Sequence, residues 1–161
     1  MARIGDRTQP LSPQAALLQH LRDLRRDKAE TDAESESVRQ DWLGAVHALL
    51  GWIRAWLQRA VDEGLARVET ATVTVQDDDH GSYDAPALRV WLAGGRVVWV
   101  RPAGMMSVGA RGIVDMVCGS NRALVVLNRS GVWKIRAARD QGRLDVLDET
   151  SFSRVLGELI L

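Results

Sequence analysis

Residues 104–111, GMMSVGAR, space two glycines as a phosphate-cradling loop does. Such a loop also needs Lys and Ser or Thr directly after its second glycine, and a helix whose first amides point at the anion. Ala110 and Arg111 stand in those places and a β-rich run follows, so these glycines read as a connection between strands. Asp77, Asp78, Asp79 and His80, with Asp84 close behind, gather hard oxygen donors and an imidazole. The alternating ligands and distant bidentate carboxylate of a calcium loop are absent, and adjacent carboxylates on a turn stay solvated. Nucleophilic chemistry has no Gly-x-Ser-x-Gly to use, and Cys118 falls in a strand pattern where a small buried apolar residue is expected. A nuclease would need a second carboxylate after Asp115, which VVLNRSGVWK does not supply. No catalytic residue, metal site or cofactor is therefore expected, and an enzyme of unrecognised type ranks third among the functional readings.

The charge distribution is less ordinary. The chain has 161 residues and a formal net charge of zero. Residues 85–143 nevertheless hold ten Lys or Arg against two acids, while the segments before and after are net acidic. Tryptophan is over-used, at six against one Phe and one Tyr, and Trp is common both in cores and at binding hot spots. A single cysteine forms no internal disulfide and fits a reducing compartment. The first residues lack an apolar run of the secretory type, so a cytoplasmic protein is expected.

The elements that would position these residues can be read from periodicity. Ser12 offers an N-cap, Pro13 a first helical position, and Leu17, Leu18, Leu21 and Leu24 an apolar stripe. Arg25–Gln40 is almost wholly polar; it is either solvated helix or a linker, with Ser35 or Ser37 capping a second helix. That second helix is expected over roughly residues 38–68. There Trp42, Ala45, Leu49, Trp52 and Trp56 recur at alternating spacings of three and four, beside a row of Leu43, Val46, Leu50, Ile53, Leu57 and Val61. Together these cover about half the helix circumference, wider than an ordinary core-facing stripe. Gly44, Ala48, Gly51 and Ala55 line the opposite side, a pattern that lets another backbone approach closely. WLGAVHALLGWIRAWL falls short of the roughly 20 apolar residues of a membrane span and carries Arg54 and His47, so no span is expected.

From Glu69 the period becomes two: VETATVTVQ, the pair ALRVWL and RVVWV, then IVDMVC, RALVVLN, VWKIRA and RLDVLD read as successive strands. Gly94-Gly95 suggests a two-residue hairpin, which would set Leu88, Val90, Leu92, Val97 and Trp99 on one face. ETSFSRVLGELIL closes as a helix. The expected fold class is α+β: two N-terminal helices, the second long and broadly apolar, an antiparallel sheet of about six to seven strands, and a C-terminal helix. Residues 1–37 would form a tail, an amphipathic helix and an acidic linker, and residues 38–161 the core domain.

The reading these features favour is a non-catalytic assembly module, the subunit or adaptor of a larger complex. Its association surface would comprise Leu17, Leu21 and Leu24, the stripe Gly44, Ala48, Gly51 and Ala55, and Trp91. The alternative is nucleic-acid binding through Arg89, Arg96, Arg101, Arg111, Arg122, Arg129, Lys134, Arg136, Arg139 and Arg143. Strand alternation spreads these cations over more than one face and many lie at turns, which favours assembly.

Overall fold

The computed structural model describes residues 10–78, 80–106, 109–137 and 143–161. Its first element, α1 (Pro13–Trp56), is one unbroken helix of 44 residues. This corrects the expectation of two N-terminal helices with the second one long: the long helix is the first, and the second has five residues. The charged stretch contains no Gly or Pro and is rich in Ala, Glu, Arg and Lys, so propensity carries the helix through where no face is buried. Ser12 caps it, its Oγ accepting the Ala15 amide at 3.1 Å. Exposed pairs such as Lys28–Asp32 at 3.0 Å add a few tenths of a kcal/mol each. Neither Ser35 nor Ser37 starts a new helix.

After Leu57 comes the five-residue α2 (Gln58–Asp62), and Gly64 ends it at φ +72°. The Leu65 amide donates to the Ala60 carbonyl at 2.8 Å and the Gly64 amide to Val61 at 3.0 Å, the paired bonds of a glycine-terminated helix. Helix expected as far as Val68 therefore stops short, and Ala66 already opens a strand.

Seven strands come next: β1 (Ala66–Asp77), β2 (Gly81–Leu92), β3 (Arg96–Met105), β4 (Gly112–Cys118), β5 (Asn121–Leu127), β6 (Trp133–Ala137) and β7 (Asp145–Val146). They form one antiparallel sheet in simple chain order, and α3 (Glu149–Ile160) closes the described chain. Asp148 caps α3, accepting the Ser151 amide at 2.8 Å while Ser151 Oγ accepts the Asp148 amide at 2.9 Å. The β2–β3 loop has three residues, Ala93–Gly95, with both glycines at positive φ, so Leu92 pairs with Arg96 and Val90 with Val98. One extra loop residue reverses the expected facing of β3: Val98 and Val100 point into the core, Val97 and Trp99 away from it.

The chain divides into two compact units at Val38/Arg39. In the first, α1 residues 13–38 bury no side chain. In the second, Trp42, Val46, Leu49 and Ile53 of α1 and Phe152, Val155 and Leu159 of α3 share one core with a single sheet face. That face includes Leu88, Val90, Val98, Val100, Val114, Met116, Ala123, Val125 and Ile135. Cys118 also lies there, buried. The buried arc of α1 is narrower than the sequence pattern, because Trp52 remains 49% exposed. Trp42 is fully buried, 6.0 Å from Trp133 between ring centroids, and its ring occupies the space a side chain at Gly112 would need. Gly112 thus allows the helix to seat a large aromatic directly on the sheet.

Candidate interaction surfaces

Among the described residues, the second sheet face carries no helix of its own unit. Cross-strand pairing arranges it in rows: Glu69, Arg89, Trp99, Val117, Arg122; then Arg101, Asp115, Leu124, Arg136; then Ile113, Val126, Lys134, Val146. Arg67, Trp91 and Val97 form a further row beside Arg89. Five of the ten expected cations, Arg89, Arg101, Arg122, Lys134 and Arg136, thereby share one surface, and alternation does not scatter them. Arg96 lies on the opposite face at the end of β3; Arg111, Arg129 and Arg143 occupy connections, and Arg139 lies outside the described residues.

Two residues on this face carry more weight than the sequence suggests. Arg67 falls in a segment that reads as helix, yet its guanidinium lies over the Trp91 ring at 4.1 Å. Trp99 reads as sharing a face with Leu88 and Val90, yet it sits on the other face, where Arg89 lies over it at 4.0 Å and over Trp91 at 5.4 Å. The result is an alternating ladder Arg67–Trp91–Arg89–Trp99, each contact worth about 0.5–1 kcal/mol at a part-exposed site. Glu69 holds Arg67 at 3.4 Å, and the buried Asp115 accepts from Arg122 at 2.6 and 3.0 Å. Arg89, Arg101, Lys134 and Arg136 have no carboxylate within ion-pair distance among the described residues.

The leucine stripe of α1 is open: Leu17, Leu18, Leu21 and Leu24 are 45–56% exposed. Gly44, Ala48, Gly51 and Ala55 are also exposed, and an added Cβ at Gly44 or Gly51 meets no atom within 4 Å. Among the described residues, no other backbone comes within 4 Å of a Cβ at Gly44 or Gly51. Trp91 is half-buried beneath its arginines rather than freely presented. An open groove of about 550 Å³ lies along Trp56, Leu65, Leu92, Phe152, Leu156 and Ile160, with the Arg59–Glu63 pair at its rim.

The acidic turn is used structurally. Asp77 accepts the Tyr83 hydroxyl at 2.7 Å and the Met105 amide at 3.2 Å, and its carboxylate fills the space beside Gly104. Burial, with the adjacent carboxylate adding to it, raises the Tyr83 pKa well above the usual phenol value. Asp84 accepts from Thr74 Oγ1 at 2.9 Å; Asp79 lies outside the described residues. Among the described residues no three His, Cys, Asp or Glu side chains converge to hold a metal, and no helix is long and apolar enough to cross a membrane. Of the glycine pair in GMMSVGAR, Gly104 lies within β3 and Gly109 in the connection to β4, where no helix begins. Comparisons with protein families, with curated proteins and with solved structures match nothing to this chain.

Proposed function

We propose that this protein is an assembly module whose α1 pairs with the α1 of a second copy. The observation that carries the reading is the leucine stripe, half-exposed on a helical unit that buries nothing of its own. Spacings of four and three from Leu17 through Leu21 to Leu24 are those of a seam that packs on its own copy. Burying the remaining half of each leucine contributes about 0.75–1.5 kcal/mol, or roughly 6–12 kcal/mol for the eight in a symmetric pair. Association costs about 4 kcal/mol or more, so the dimer is no tighter than about micromolar.

Sedimentation velocity from about 10 µM to about 1 mM spans that range. The wild type shifts from monomer to dimer, and the triple variant Leu17→Gln, Leu21→Gln, Leu24→Gln stays monomeric while its helical circular dichroism persists. A wild type that remains monomeric throughout, or a triple variant that associates equally well, refutes the proposal.

A further inference from the structure

We propose that the open face of the sheet binds single-stranded nucleic acid. Arg101, Lys134 and Arg136 would meet phosphates, and the Arg67–Trp91–Arg89–Trp99 ladder would receive bases. Among the described residues of these cross-strand rows, the face presents Arg67, Arg89, Arg101, Arg122, Lys134 and Arg136 against Glu69 and Asp115. Both acids are already engaged, Glu69 with Arg67 and Asp115 with Arg122, so the charge left uncompensated is positive. It is also localised. Arg101 and Arg136 share a cross-strand row three strands apart, about 14 Å at ordinary strand spacing, and Lys134 lies one row away.

The neighbouring groups suit bases. Trp91 and Trp99 are half-buried, so the ladder is held in place, and planar guanidiniums and indoles are the groups on which unpaired bases stack. Arg101 follows Trp99 on the same face of β3, while Val117, Leu124 and Val126, also half-buried, lie among these groups and offer apolar contact to base faces. The surface is the face of a seven-stranded sheet, broader than the helix or two-stranded ribbon that a duplex major groove admits, which favours a single strand over duplex. An acidic polypeptide would satisfy the cations but has less use for the stacked planar groups at one end of the face.

The test is fluorescence anisotropy with labelled oligothymidylate and oligouridylate of about 20 nucleotides at about 50 mM salt. The wild type binds, and log K falls against log salt with a slope of about −2 to −3, as three or four phosphate contacts require. Arg101→Glu/Arg136→Glu weakens binding more than tenfold. Arg96→Glu/Arg111→Glu, which makes the same charge change off this face, leaves affinity within about twofold; thermal melts check that both variants fold. Three results overturn the proposal: no binding at low salt, equal loss in the two double variants, or displacement by polyglutamate as effective as by unlabelled oligonucleotide. The last would reassign the face to an acidic protein surface.

Discussion

Replacing Gly112 by Ala tests how α1 is seated on the sheet. A Cβ built there stands 2.9 Å from Trp42 Cε3 and closer still to Cζ3 and Cη2, with no flexible chain end to swing aside. Overpacking of this kind costs about 2 kcal/mol. Trp42→Ala removes the fully buried ring and should cost about 3–5 kcal/mol. The informative quantity is the combination. Once the ring is gone the added methyl enters vacated space, and Ala in a strand is favoured over Gly by about 0.5 kcal/mol. Gly112→Ala should therefore change sign in the Trp42→Ala background, giving a coupling of about 2–3 kcal/mol. Urea unfolding followed by far-ultraviolet circular dichroism measures all four corners, with Trp42→Leu as the milder partner if Trp42→Ala leaves too little folded protein. Two costs that add within about 0.5 kcal/mol would show that the ring and Gly112 do not share the space assigned to them.

The remaining expectations concern the helix surface, the buried phenol and the two interaction surfaces. Gly44→Ala and Gly51→Ala should each raise stability by about 0.5–1 kcal/mol in thermal melts, since both glycines are helical and face open space; a fall in stability would mean that another backbone does cover this stripe. The Tyr83 pKa is raised on folding, so the neutral phenol is the stabilised form. Its contribution is intact below the ordinary phenol value of 10.0 and is lost as pH climbs from there toward the folded value. Tyr83→Phe should thus flatten the alkaline fall in urea-unfolding stability, and an unchanged profile would contradict the assignment. The leucine triple variant should abolish self-association, and reversing Arg101 and Arg136 should weaken oligonucleotide binding more than tenfold.

Much of the secondary structure is legible because period and punctuation agree. The meander is set by alternating apolar residues, and Phe152, Val155, Leu156, Leu159 and Ile160 mark one face of the closing helix. The continuity of α1 is not legible, because residues 25–40 favour helix by propensity alone, and with no periodic face a solvated helix and a linker read alike. The end of the helical run, in α2, depends on Gly64, whose termination bonds do not show in the apolar pattern that runs on to Val68. The facing of β3 depends on whether Ala93 belongs to the strand or the loop, and a single residue sends Trp99 to the other side. The interaction surface inherits both ambiguities. Its cations are visible as a compositional excess, but their gathering on one face, and the inclusion of Arg67 and Trp99, emerge only from the strand pairing.

The seating of Trp42 also bears on the order in which the protein takes shape as it is made. The helix segment from Trp42 to Leu57 is synthesised well before Gly112 and Trp133, the groups that enclose the Trp42 ring. More than seventy residues separate Leu57 from Trp133, roughly 4–15 s of translation at 5–20 residues per second. Throughout that interval the apolar row Trp42, Val46, Leu49 and Ile53 is present without the complete sheet that will cover it. The strands themselves form by successive local hairpins, each able to close as soon as it emerges. Exposure of the Trp42 ring in the nascent chain thus lasts until β4 and β6, which lie far downstream of the helix, have been made.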